Sequence, residues 1–209
     1  MVQTSKDSDS TSYKDTKHGI ISRPKLIQLE SKGLVKGFRF IQSKRFIKLT
    51  PEFISELHKK SFGHIFDWAG LWRTIDVRFG NLETSEPHKI PVLVNEYCKD
   101  AEERFLHLPK QSDTNFFFEE LVKFLAWLQH RFIVIHPFND YNGRIGRLIT
   151  NWALLRLQMP IIEIRVDSDE DKRLYLNAMR KADEHDYSGL EVLLYNALTE
   201  SLQRNLQRL

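Results

Sequence analysis

The stretch from Phe116 to Leu155 restricts the fold more than any other, because a polar turn there joins two helical stripes of apolar residues. Phe117, Leu121, Phe124, Leu125, Leu128, Phe132 and Ile135 recur at the spacing of one helix face. Ile145, Leu148, Ile149, Trp152 and Leu155 repeat the pattern beyond the turn, ending before Pro160. The first helix delivers the chain to HPFNDYNGRIGR, residues 136–147, and the second carries it away.

Further helices are expected on both sides. Thr50-Pro51-Glu52 supplies an N-cap hydroxyl, a proline at the first helical position and an acid in the first turn. Phe53, Ile54, Leu57, Phe62, Ile65 and Phe66 follow at helical spacing, running into FDWAGLWR (66–73), where Trp68 and Trp72 are expected as core aromatics. Val92 to His107 reads as a helix. Ser168-Asp169-Glu170-Asp171 opens another through about Asp183, and a last begins near Gly189 with Leu190, Leu193, Leu194, Ala197, Leu198 and Leu202. Ile75, Val77 and Phe79 alternate with Asp76 and Arg78 before Gly80-Asn81, the pattern of a short strand entering a hairpin turn. From Ile20 to Lys48 no period is sustained, with breaks at Gly33 and Gly37, so strand and short helix compete there. Several helices against one hairpin make an all-α class with a small β-hairpin.

Residues 1–18 contain no Leu, Ile, Phe or Trp to set against the entropy of ordering, so they are expected as a disordered leader before a single helical domain at 19–209. The net charge of +3 is read as spread along the chain rather than gathered into a stripe, which argues against nucleic acid as main partner. Cys98 is the only cysteine, which excludes an internal disulfide and agrees with a reducing compartment; by default it is a buried thiol. No apolar run approaches the roughly 18 residues needed to span a bilayer, and no signal-peptide h-region opens the chain. A cytoplasmic protein without a membrane partner is expected.

The chemistry lies in 136–147. His136 precedes Pro137, which disfavours helical geometry in the residue before it, so an extended conformation at the helix end is expected. Its ordinary pKa of about 6.5 suits a general base at neutral pH. Asn142-Gly143-Arg144 opens the next helix, whose first N–H groups lack intrahelical acceptors and whose dipole favours an anion. At about 100° per residue, Arg144 and Arg147 share one helix edge, so both guanidinium groups can face a polyphosphate. Asp140 is a hard oxygen ligand close to that seat, where a magnesium ion bridging protein and phosphate is expected. Base, metal ligand, anion seat and arginines together suggest phosphoryl or nucleotidyl transfer.

At His136, Phe138, Asp140, Asn142, Gly143, Arg144 and Arg147 this segment resembles the Fic signature H-x-F-x-[DE]-G-N-[GK]-R-x-x-R, with Tyr141 in place of the first glycine. The resemblance extends from LHKKSFGHIFDWAGLWR (57–73) to about Leu194. It implies a Fic-fold helical bundle with a hairpin flap near residues 74–91 that docks the target segment by strand pairing. It further implies that His136 deprotonates a target hydroxyl, Phe138 anchors the loop and Asp140 holds Mg2+. Asn142 would contact the α-phosphate, amides around Gly143 would cradle the phosphates, and Arg144 and Arg147 would hold the β- and γ-phosphates of ATP.

The activity implied is transfer of AMP from Mg-ATP to a Ser, Thr or Tyr hydroxyl of a target protein. Gly143 favours AMP over phosphate, since the family's phosphotransferase branch carries lysine there. The alternatives are a Fic-fold enzyme moving another nucleotide or phosphate, and a degenerate Fic-fold binding protein with Tyr141 as the lesion. No Ser or Thr is followed four residues later by Glu, so the family's inhibitory pattern [ST]-x-x-x-E-[GN] is missing. A separate antitoxin-like inhibitory protein is the expected source of restraint. With Tyr141 at the turn, a preserved anion seat is expected, its phenol ring pointing away from the phosphates.

Overall fold

The computed structural model of the chain describes residues 16–79, 82–166 and 168–207. Its first element is a long helix, α1 (Arg23–Ser43), in the segment where strand and short helix competed. The glycines that broke the sequence pattern explain the difference. A Cβ on Gly33 would stand 2.1 Å from the Ser61 carbonyl oxygen, and one on Gly37 would stand 2.2 Å from Ser61 Oγ. Spaced by one turn, they let a second helix approach backbone to backbone, and that tertiary contact offsets a helix-propensity cost of about 1 kcal/mol per glycine.

That second helix is α2 (Pro51–Phe62), capped as expected by Thr50, whose hydroxyl accepts from the Phe53 N–H at 3.1 Å. Then come α3 (Ile90–Leu106), α4 (Thr114–Ile135), α5 (Asn142–Arg156), α6 (Asp169–Asp183) and α7 (Ser188–Leu206). Ser168 caps α6, accepting from the Asp171 N–H at 3.0 Å. Helix α4 packs against α3, α5 and α7, while α5 also meets α1. Leu121, Leu125, Leu128, Phe132 and Ile135 of α4 and Ile145 and Ile149 of α5 are fully buried, so the two sequence stripes form the centre of the core. The 136–147 turn is thereby held at one end of the α4–α5 pair. Cys98 is buried, as expected. Among the described residues no helix is long and apolar enough to cross a membrane.

Three expectations need correction or restriction. Residues 1–15 of the leader lie outside the described residues, but Thr16–His18 are docked: Lys17 N–H donates to the Ile65 carbonyl at 2.8 Å and Thr16 bridges Phe66. The strand expected from Ile75 shrinks to an antiparallel pair of Arg78–Phe79 with Leu82–Glu83, Arg78 facing Glu83 and Phe79 facing Leu82. Side chains take the carbonyls a longer ladder would need: Arg73 Nη1 donates to Ile75 O at 2.8 Å and Thr84 Oγ1 to Val77 O at 2.5 Å. The turn residues Gly80 and Asn81 lie outside the described residues. Charge is also less evenly spread than the total of +3 suggests. Arg23, Lys25, Lys32, Lys36, Arg39, Lys44, Arg45 and Lys48 fall in and just after α1, against the single acid Glu30.

Candidate functional site

His136 ends α4 in a left-handed conformation, φ 49° and ψ 60°, and not in the extended one that the following proline favours. Its N–H closes the last turn on Phe132 O at 3.0 Å, so the residue caps the helix before the chain turns away. The imidazole Nδ1–H donates to Ile133 O at 3.2 Å, which places the basic lone pair of the neutral ring on Nε2. Burial pushes the His136 pKa below its ordinary 6.5, and the nearby Arg73 charge acts in the same direction. The ring is a neutral base at physiological pH.

Backbone clasps hold the loop beyond it. Phe138 is fully buried and stacks on His58, ring centroids 3.8 Å apart, with Trp72 at 5.0 Å. Asn142 is buried and grips Phe138 in both directions, its Oδ1 accepting from the Phe138 N–H at 3.0 Å and its Nδ2 donating to the Phe138 carbonyl at 2.8 Å. Asn142 thus holds the loop through one oxygen lone pair and one N–H of its amide. His58, which the sequence gave no reason to single out, braces the same loop from α2. Its Nδ1 accepts from the Gly70 N–H at 3.0 Å, so the ring proton lies on Nε2 and donates to Asp140 O at 3.2 Å. Burial lowers its pKa to about 4, keeping it neutral.

Tyr141, where the family has glycine, takes φ 64° and ψ 11° as the N-cap of α5. A left-handed residue costs roughly 1–2 kcal/mol, which the burial of its ring offsets. The ring stacks on Phe62 at 4.1 Å and lies beside Phe66 and Trp68, directed into the aromatic cluster of α2 and FDWAGLWR. Its backbone still serves the turn: Tyr141 O accepts from Arg144 N at 3.1 Å and Ile145 N at 3.0 Å, while its own N–H donates to Asp140 Oδ1 at 2.6 Å.

The phenol reaches an unexpected partner. Tyr141 Oη donates to Glu30 Oε1 at 2.7 Å, and Glu30 Oε2 lies 2.8 Å from Arg144 Nη1. The latter contact is an ion pair off the line of an N–H bond, since Arg144 Nη1 is buried without an aligned acceptor. Arg144 also lies over the Tyr141 ring, 5.0 Å from its centroid. Burial, reinforced by the Glu30 carboxylate, pushes the Tyr141 phenol far above its ordinary range, so it remains the donor. The sequence offered one missed signal: Glu30 is the only acid between Asp15 and Glu52, and it sits on the buried stripe of α1.

Arg147 meets the other wall. It hydrogen-bonds the phenol of Tyr175 on α6, which also accepts from Gln129 Nε2 at 2.6 Å. Thr150 Oγ1 donates in turn to Gln129 Oε1 at 3.1 Å. Gly143 is open enough that an added Cβ would meet only the Arg147 guanidinium, at 3.6 Å. The turn thus brings His136, Asp140, Gly143, Arg144 and Arg147 together at the start of α5, while Phe138, Asn142 and Tyr141 hold its shape. A groove of about 620 Å³ between α4 and α7, lined by Phe118, Val192 and Leu206 among others, shares no residue with this site.

The helices that hold this loop have counterparts in known proteins. A model of the Fic/DOC family matches residues 48–154. A Fido domain-containing protein of Dictyostelium discoideum is 37% identical over 86 residues, covering 38% of this chain and 57% of that protein. A protein adenylyltransferase Fic of Nematostella vectensis is 27% identical over 178 residues, covering 81% of this chain and 38% of the relative. The chain therefore spans well under two thirds of the length of these relatives. Among solved structures, a Fic domain containing signaling protein from Bacteroides thetaiotaomicron superposes with a TM-score of 0.70 at 26% identity, over 83% of this chain and 70% of that one. Since the matched region holds α2, the braced loop and nearly all of α5, the chain belongs to the Fic/DOC family.

Proposed function

We propose that the chain transfers AMP from Mg-ATP to a side-chain hydroxyl of a protein target. The observation that carries this reading is His136, neutral, fixed in one tautomer and set just before the α5 amides. The His136 Nε2 lone pair takes the hydroxyl proton as the target oxygen bonds to the α-phosphorus of ATP. The α–β phosphoanhydride bond breaks and pyrophosphate leaves. The first amides of α5 around Gly143 cradle the phosphates, with Arg144 and Arg147 reaching the β- and γ-phosphates. Asn142 contributes through the loop it clasps, beside the α-phosphate contact that the family resemblance implies.

The residues present fit magnesium. Among the described residues no cluster of three or more acidic, His or Cys ligands exists, and the exposed Asp140 engages one oxygen with the Tyr141 N–H. A single carboxylate beside a polyphosphate seat suits an ion that keeps several waters and takes the rest of its ligands from substrate. Bound there through Asp140, it would neutralise phosphate charge.

Nucleotide must displace Glu30 from Arg144 to use that arginine. This contact supports a restraint within the chain, beside the separate inhibitory protein expected from the sequence. Incubating the protein with α-labelled and, separately, γ-labelled ATP in a cell lysate tests the reaction. Label reaching protein from the α position alone is expected; transfer from the γ position would make the enzyme a phosphotransferase, and transfer from neither would make it a binding protein.

A further inference from the structure

Arg73, at the end of FDWAGLWR, is almost wholly buried, yet its guanidinium meets no carboxylate within bonding distance among the described residues. Every acceptor it uses is neutral, and the acceptors form two groups. One lies at the catalytic histidine: Nε donates to His136 O at 2.7 Å, Nη2 approaches Ile135 O at 3.5 Å, and the Arg73 backbone N–H donates to Pro137 O at 2.9 Å. The other brackets the hairpin on both legs. Nη1 donates to Ile75 O at 2.8 Å before it, and Nη2 to Thr84 Oγ1 at 3.2 Å and to Ser85 O after it. A planar fork can hold both groups in one geometry, whereas an ammonium would have to choose between them. The cation also faces the C-terminal carbonyls of α4, where positive charge is favoured.

We propose that Arg73 is a positioning residue that locks the two legs of the hairpin, residues 75–79 and 82–85, and the backbone of His136 into one register, so that a target segment seated on these legs presents its hydroxyl to His136. The proposal rests on reading His136 as the base and the hairpin as the docking edge, but the linkage itself is a property of the free protein. The nucleotide side of the site is served by α5 and touches none of these contacts. The Arg73 charge also bears on the His136 ring in the direction of a lower pKa.

The test compares the parent with Arg73→Lys, Arg73→Gln and Thr84→Val in the full chain. Hydrogen exchange is followed in 75–79 and 82–85 and at Ile135 and His136, His136 is titrated by ring NMR, and Mg-ATP binding and label transfer from α-labelled ATP to a bacterial lysate are measured. In Arg73→Lys, exchange is expected to accelerate in both segments together by about tenfold or more, with Mg-ATP affinity within about twofold and transfer down by about tenfold to a hundredfold. Thr84→Val should loosen the hairpin alone and leave the His136 titration where it was, while Arg73→Gln should move that titration to higher pH and Arg73→Lys should not. Unchanged hairpin exchange in Arg73→Lys would overturn the proposal. So would a His136 titration indifferent to Arg73→Gln, or loss of Mg-ATP binding in step with loss of transfer. Should Arg73 variants fail to fold, Thr84→Val still decides: a hairpin no looser than in the parent contradicts the linkage. Should the parent itself move no label, the proposed reaction fails, and exchange and titration still judge the linkage.

Discussion

Arg144 and Arg147 stand one turn apart on α5 and share one helix edge, yet meet different walls, α1 for one and α6 for the other. On the α1 wall Arg144 is paired with an acid, Glu30, which Tyr141 also holds. On the α6 wall Arg147 leans on a phenol, Tyr175, inside a neutral network with Gln129 and Thr150. Both phenols are driven toward the protonated form by burial, but Tyr141 donates to a carboxylate whereas Tyr175 accepts from a cation. On the proposed function, a phosphate arriving at Arg147 joins an arginine that the Tyr175 phenol orients. At Arg144 it must replace a carboxylate, and a buried charge left behind costs several kcal/mol unless it is re-paired or hydrated. One wall is built to orient and the other to restrain.

The largest expected effect lies on the restrained side and is read in stability. His58 braces the loop there with a folded pKa of about 4 against an ordinary 6.5. The unfolded chain therefore takes up a proton first as pH falls. The contribution is whole above 6.5, is lost between 6.5 and about 4, and amounts to about 3 kcal/mol. Urea unfolding across this range should show it, and His58→Gln should flatten it; an equal acid response in that variant would remove His58 from the account.

Next is the contrast between the arginines. Arg147→Ala removes a guanidinium that the Tyr175 phenol orients, so Mg-ATP affinity should fall by roughly 30-fold to 100-fold, as for hydrogen bonds to charged groups. Arg144→Ala should cost less, because the parent already gives up the Glu30 pair to bind. Calorimetry that ranked the two the other way would break the comparison. Glu30→Gln keeps a hydrogen-bond acceptor for Tyr141 but removes the competing charge, and should tighten Mg-ATP by about tenfold, on the order of 1.4 kcal/mol. The smallest effect belongs to Tyr175→Phe, a loss of about twofold to fivefold, since only a neutral hydrogen bond orienting Arg147 disappears. A loss as large as that of Arg147→Ala would give the orienting wall a weight not assigned to it.

What could be read from the sequence were the features whose causes are local. Thr50 and Ser168 cap their helices because the hydroxyl and the N–H it meets are neighbours in sequence. The stripes of α4 and α5 fixed where the 136–147 turn would lie, and the Fic resemblance named its residues. Features set by distant partners were hidden. Gly33 and Gly37 look like helix breakers until Ser61 is placed against them. Glu30 looks like one more helical acid until Tyr141 and Arg144 arrive, and the Asn142 clasp on Phe138 shows only once the loop is folded. The left-handed geometry of His136 overrides the preference its proline neighbour imposes, because capping α4 on Phe132 and contact with Arg73 fix it. Tyr141 did adopt a left-handed turn with its ring in the core, and the reason is the cluster of Phe62, Phe66 and Trp68.

The central claim is that a neutral His136 removes the proton from the target hydroxyl. The most direct measurement is single-turnover transfer from α-labelled ATP across pH, in the parent and in His136→Ala, with Mg-ATP affinity determined for both. Because burial lowers the His136 pKa in the folded protein, the parent's rate should hold steady through pH 6.5 and fall only below it. His136→Ala should bind Mg-ATP with unchanged affinity and transfer no label at any pH. Transfer by His136→Ala at the parent's rate, or a parent whose rate falls away above pH 6.5 as the solution is made more acidic, would contradict the account.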